Sequence, residues 1–183
     1  LPVQSGSDAI LKAMNRSHTA DSYLRLIDMV RAARPDIALS GDFIVGFPGE
    51  SEADFAATLG LIEAAGYAQA FSFKYSPRPG TPAATMDGQI QAELMDERLQ
   101  RLQAALQQCS LAFNQASVGI DCNVLIEREG RRAGQWLGKS PWLQSVHFSA
   151  AKGTGAQIGD LVRVELAEAG PNSIGARLLH PAA

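Results

Sequence analysis

The chain has 183 residues, 46% of them apolar and 19% charged, a globular composition long enough for one large or two small cores. A formal net charge of −3 excludes a protein that holds nucleic acid by overall basicity. The acidity is uneven: residues 1–118 carry 9 Lys and Arg against 13 Asp and Glu, and residues 119–183 carry 7 against 6. No run of about eighteen apolar residues and no signal-peptide pattern occurs, so the chain reads as cytoplasmic, without a membrane partner.

The chain begins at Leu1 without a methionine, inside what reads as the end of a strand, Leu1 to Gln4, and this is the first sign of a piece of a longer protein. Ser7 is placed to cap a short helix over Ala9 to Met14. A second helix starts near Ala20 or Asp21, repeats apolar residues at Tyr23, Leu26, Ile27 and Val30, and stops at Arg34 because Pro35 disfavours a helical residue before it. Ile37 to Val45 reads as a strand, and its unbroken Phe43-Ile44-Val45 suits one covered on both faces. After the turn Gly46 to Glu50, Ser51 and Asp54 form a capping box for a helix through Phe55, Leu59 and Ile62, which Gly66 stops. Phe71 to Tyr75 alternates and predicts the next strand. The order β-α-β-α-β is that of crossover units in a parallel sheet, and three strands make only part of a β/α barrel or doubly wound sheet.

Three prolines among residues 76–82 exclude helix and central strand there. Residues 89–117 favour a long helix with Leu94, Leu99, Leu102, Leu106 and Phe113 on its apolar side. Beyond Gly119, short apolar runs at Cys122–Ile126, Leu143–Phe148 and Leu161–Leu166 between glycine-rich turns predict a small antiparallel barrel. The fold class is therefore α/β plus all-β. Its parts are a β/α segment at 1–86, a linking helix at 87–118 and a small antiparallel barrel at 119–183.

In parallel β/α folds ligands sit at the carboxyl ends of the strands. Gln4, Ser5 and Ser7 offer uncharged donors and acceptors there for ribose hydroxyls or a carboxylate, though a capped helix start explains them equally. Arg16 is placed to clamp a carboxylate in bidentate fashion, or is a solvated surface arginine. Asp42, in a strand expected to be buried on both faces, needs a partner or a task. The Gly46-Phe47-Pro48-Gly49 turn lets backbone approach a flat ligand. In the barrel, Arg131, Arg132, Lys139, Trp142 and Lys152 interleave basic and aromatic side chains in the manner of single-strand nucleic-acid binders, with Trp136 either part of this set or core. Cys109 and Cys122 match no metal or redox spacing.

Taken together, Leu1-Pro2-Val3-Gln4-Ser5-Gly6-Ser7, Met14-Asn15-Arg16, Asp42 to Glu50 and Tyr75 to Ala83 closely resemble the radical S-adenosylmethionine methylthiotransferases. Residues 119–181 resemble the TRAM domain that ends those enzymes, and the resemblance implies a partial parallel β/α barrel at 1–86 and an OB-like barrel at 119–183. Gly138 to Val146 and Ala169 to Ser173 are most similar to the tRNA branch, which makes 2-methylthio-isopentenyladenosine beside the anticodon; the branch acting on a ribosomal protein is the nearer rival.

The resemblance implies S-adenosylmethionine and two 4Fe-4S clusters, whose cysteine ligands this chain lacks, so it implies no catalytic residue and no metal ligand here and a chain inactive by itself. It places Gln4, Ser5, Ser7 and Arg16 near the ribose or methionine part of the cofactor, and Asp42, Gly46, Phe47 and Pro48 near its adenine or the target base. It also implies a tRNA anticodon stem-loop as partner, with a separate electron donor and sulfur source. An RNA-binding module without catalysis is the alternative from a different class. An incomplete sheet would further expose an edge and an apolar face through which two copies could pair.

Overall fold

Helix ends follow the local signals closely. In the computed structural model, which describes residues 1–150 and 155–180, Ser7 caps α1 (Asp8–Ala13), its side chain accepting from the Ile10 amide. Helix α2 (Ala20–Ala33) opens on a capping box between Thr19 and Ser22 and ends at Arg34. Helix α3 (Glu52–Ala65) opens on the Ser51/Asp54 capping box and closes at Gly66 in the left-handed conformation, φ 56°. Between these helices lie β1 (Ser40–Val45) and β2 (Gln69–Lys74), paired in parallel from Ser40↔Gln69 to Val45↔Lys74. The strand expected from Ile37 begins at Ser40, since pairing with the second strand starts only there. A 3₁₀ turn, Pro82–Thr85, precedes the long helix α4 (Ala92–Ala116).

Two expectations about this sheet need correction. The segment Leu1 to Gln4 is not a full strand: the Leu1 nitrogen donates to the Ser40 carbonyl at 2.8 Å, but only Gln4 forms a ladder bridge to β1, its amide donating to the Asp42 carbonyl and its carbonyl accepting from the Ile44 amide, both at 2.9 Å. Gln4 adopts φ 78°, which turns the chain out of the extended conformation at that point. Nor is β1 covered on both faces. Gly41, Phe43 and Val45 are buried, whereas Asp42 and Ile44 are half-buried, and their register partners Phe71 and Phe73 are 52% and 53% exposed.

The buried face packs on a core of Phe55, Ile62 and Tyr67 with Tyr23 and Ile27 of α2 and Leu102 and Leu106 of α4. Phe43 meets the Tyr67 ring edge-on at 5.5 Å, an arrangement aromatic quadrupoles favour. The chain divides into two units, Leu1–Cys109 and Ser110–Ala183, so the boundary falls within α4.

The second unit is a closed five-stranded barrel of β3 (Asp121–Glu129), β4 (Gln135–Lys139), β5 (Ser145–Ser149), β6 (Leu161–Ala169) and β7 (Ile174–His180), in the order β3-β4-β5-β7-β6. It is not wholly antiparallel, because β5 and β7 run parallel from Val146↔Ile174 to Phe148↔Ala176. Strands β4 and β7 were not separately legible in the sequence, because each sets two apolar residues side by side, Trp136-Leu137 and Leu178-Leu179, which breaks the period of two. Inward residues alternate as a half-wet sheet demands: Cys122, Val124 and Ile126 face Val162, Val164 and Leu166, with Val146, Phe148 and Ile174 closing the core. Gly138 permits the β3–β4 pairing, since a Cβ there would collide with the Leu125 carbonyl oxygen.

Candidate cofactor wall and nucleic-acid face

Of the residues singled out in the first unit, Ser5 and Ser7 are buried and already engaged. The Ser5 hydroxyl lies 3.2 Å from Thr58 Oγ1 and accepts from the Ser7 amide at 3.1 Å. Ser7 Oγ donates to Asp54 Oδ1 at 2.5 Å. Gly6 completes this seam, its amide donating to Thr58 Oγ1 at 2.9 Å, and a Cβ on it would fall 2.5 Å from the Ala57 carbonyl. The segment Ser5 to Ser7 therefore fastens the start of α1 to α3. Gln4, Asp42 and Arg16 differ: their side chains make no hydrogen bond among the described residues, with Arg16 exposed and the other two half-buried. Backbone pairing brings Gln4 and Asp42 together, but no hydrogen bond ties Arg16 to them.

The turn after β1 is tied to the rest of the first unit at several points. Gly46 has φ 75° and Gly49 φ 83°, both in the region that favours glycine. A Cβ on Gly46 would collide with Met95 Cγ. Phe47 is 5% exposed and packs edge-on against Tyr75 at 5.2 Å, and Pro48 is buried beside it. The Gly49 amide donates to the Gly88 carbonyl at 2.9 Å.

Sequence reasoning missed the group that locks this turn. Glu50 Oε2 accepts from the Gly46 amide at 2.9 Å and from Arg98 Nη1 at 2.8 Å, and Arg98 Nη1 also donates to the Glu50 carbonyl at 3.0 Å. The two side chains are 1% and 3% exposed. Burial pushes the Glu50 carboxyl up, against the pull of the Gly46 amide and the Arg98 guanidinium. A usable signal existed: Arg98 stands four and eight residues before Leu102 and Leu106, on the buried stripe of α4.

On the barrel the structure divides the basic residues into two groups. Exposed Arg131 and Arg132 sit in the β3–β4 connection, where the Gly130 amide donates to the Gln135 carbonyl at 2.6 Å. Two clefts of about 410 and 720 Å³ share Arg131, Gln135 and His147; the first adds Arg128, the second Arg132 and Arg177. Lys139 and Trp142 belong to neither. Lys139 Nζ donates to the Leu143 carbonyl at 3.3 Å and to Ser145 Oγ at 3.0 Å, and Trp142 packs on the barrel core, as Trp136 does. Lys152 lies outside the described residues.

In the loop that bears Trp142, Gln144 is buried and donates to Asn114 Oδ1 and Ser117 Oγ, both at 3.0 Å, while accepting from Ser140 Oγ. Much of the Gly138 to Gln144 segment thus serves a buried polar network.

Residues 1–62 match the family model of the Radical SAM superfamily. The chain is 70% identical, over 97% of its length, to a protein of Novosphingobium aromaticivorans named tRNA-2-methylthio-N(6)-dimethylallyladenosine synthase. Proteins of the same name from Erythrobacter litoralis and Sphingopyxis alaskensis are 67% and 64% identical over 100% and 98% of the chain. The chain is similar to part of these synthases. It spans 39–40% of the length of each. The match runs through both units and agrees with the motif resemblance read from the sequence.

Iron–sulfur clusters do not fit the side chains present. Cys109 and Cys122 fall in separate units, and among the described residues no group of three or more His, Cys, Asp or Glu could hold a metal ion. Among the same residues, no helix is long and apolar enough to cross a membrane.

Proposed function

We propose that this chain is part of a methylthiotransferase that adds a methylthio group to carbon 2 of isopentenyladenosine beside the anticodon of tRNA, and that it is inactive without further protein carrying the cluster ligands. The observation that carries this reading is the identity of 64–70% across both units to proteins bearing the tRNA synthase name. S-adenosylmethionine bound at an iron–sulfur cluster supplies radical chemistry in such enzymes; the residues here bind and orient.

The donor set suits that cofactor. The Gln4 amide and the Asp42 carboxylate can reach hydroxyls or an exocyclic amine, and the Arg16 guanidinium complements a carboxylate. The Gly46-Phe47-Pro48 turn is itself buried and would back a flat ring from the carboxyl end of β1. Ser5 and Ser7, bonded to Thr58 and Asp54, act by holding Gln4 and the start of α1 in place.

We read the barrel as OB-like, of the TRAM kind, with an anticodon stem-loop as partner. Strands β4 and β5 are then its second and third strands, the face that OB barrels use for oligonucleotides together with the loop joining the first two strands. Arg131 and Arg132 are in that loop and His147 on that face. Stacking on the half-buried imidazole and phosphate contacts from the arginines would hold a single strand. The cleft alone would equally serve an RNA-binding module, whereas the radical SAM match of residues 1–62 favours an enzyme.

The deciding experiment uses the longer protein, with clusters reconstituted anaerobically, and an anticodon stem-loop containing isopentenyladenosine. Mass spectrometry of the digested nucleosides should show the 2-methylthio product. RNA and cofactor binding without that product would overturn the reading, and modification of a ribosomal protein instead would move it to the other branch.

A further inference from the structure

A buried ion pair is a costly way to hold a turn, since two charges leave water and an apolar pair of similar size often serves stability as well or better. The Glu50–Arg98 pair has a further sign of that cost: Arg98 Nε is buried with no partner among the described residues. What apolar side chains could not supply is directional. Glu50 Oε2 accepts from the Gly46 amide, and Arg98 Nη1 donates to the Glu50 carbonyl, so backbone groups at both ends of the turn are pinned to one charged centre. The same guanidinium lies 3.6 Å from Glu52 Oε2 and 5.6 Å from the centre of the Phe55 ring, which fixes its own position. On its other side the turn abuts Met95, which fills the space beside Gly46.

We propose that Glu50 and Arg98 are positioning residues for S-adenosylmethionine: their ion pair holds the buried Gly46-Phe47-Pro48 turn that closes the carboxyl end of β1, and with it the half-buried Asp42 and Ile44 of that strand, in the conformation that receives the cofactor, and the fold itself does not require it. The proposal rests on the reading that the carboxyl end of β1, which this turn backs, lines the cofactor site.

The test is a Glu50→Leu, Arg98→Met double variant, which replaces the pair by apolar side chains and removes the two backbone anchors. In the longer, cluster-bearing enzyme its dissociation constant for S-adenosylmethionine should rise about tenfold or more, with RNA affinity unchanged. Arg98→Lys, which keeps the charge but not the fork, should fall between it and the wild type. In the 183-residue chain, without cofactor, the Gly46 amide of the double variant should exchange hydrogen about tenfold faster, while the Phe55 amide in α3 keeps its protection. A double variant that binds the cofactor as the wild type does overturns the proposal. So does one that fails to fold, since the pair would then be needed for the fold. A wild-type enzyme with no affinity for S-adenosylmethionine overturns the reading of the site beneath it, an outcome distinguished by the failure of the wild type itself.

Discussion

Ser7 Oγ donates to Asp54 Oδ1 at 2.5 Å, so the residue that caps α1 is held by the third residue of α3, 47 positions away. Asp54 Oδ2 meanwhile accepts the Ser51 amide at 2.9 Å and the Ser51 hydroxyl at 2.5 Å. One carboxylate therefore serves two helix starts. Burial would raise its pKa, but the hydrogen bonds from Ser51 and Ser7 outweigh that and hold it below its usual value of 3.8.

Asp54→Asn is expected to cost about 1–2 kcal/mol, the range of an N-terminal cap. A carboxyl with a depressed folded pKa contributes stability above its unfolded value, here near 3.8, and loses it as pH falls through the lower folded value. The variant should therefore flatten the acid side of the stability profile. Urea titrations between about pH 2.5 and 7 check this; parallel profiles would contradict it.

Gly46→Ala should destabilise the first unit by about 1–3 kcal/mol, from its positive φ together with the Met95 contact. Adding Met95→Ala should recover the steric part and not the conformational part. A double-mutant cycle by denaturant unfolding separates the two.

The Tyr75 hydroxyl is buried with no hydrogen-bond partner among the described residues, while its ring packs on Phe47. Removing an unsatisfied buried hydroxyl relieves a desolvation cost, so Tyr75→Phe should be neutral or stabilising by about 1 kcal/mol. A loss of more than about 1 kcal/mol in thermal unfolding would show that the hydroxyl has a partner.

Arg131→Ala, Arg132→Ala together should lower the slope of log affinity against log salt for an anticodon stem-loop by about 0.7 for each phosphate that is no longer neutralised. Lys139→Ala should change it less, because that ammonium is already bonded to Leu143 and Ser145. Equal effects would mean that RNA also reaches the Lys139 end of β4.

Burial pushes the thiols of both Cys109 and Cys122 up, so neither should react quickly with iodoacetamide near neutral pH while the chain is folded. Counting labelled thiols by mass spectrometry before and after adding urea checks this.

Local chemistry made much of this protein legible. Ser7, Ser51 with Asp54, Pro35 and Gly66 marked helix ends because caps and breakers act within a few residues of chain. Motifs such as Gly46 to Glu50 carried a resemblance that agrees with the names of the similar synthases. Leu1 to Gln4 reads as a strand end yet forms a single bridge, because extended residues at a sheet margin look alike whether they pair once or along their length.

What the sequence by itself determined, then, was where helices start and stop, that an α/β part precedes a β part, and the class of enzyme to which the motifs are similar. Only the tertiary structure decided the parallel β5–β7 pairing, the open Phe71 and Phe73 face, and the division of the basic residues between a cleft and a bonded loop. It alone brought Glu50 to Arg98, 48 positions apart, and Ser7 to Asp54. Such pairs leave no periodic trace, since a hydrogen bond between distant residues depends on how whole elements pack and not on their spacing along the chain.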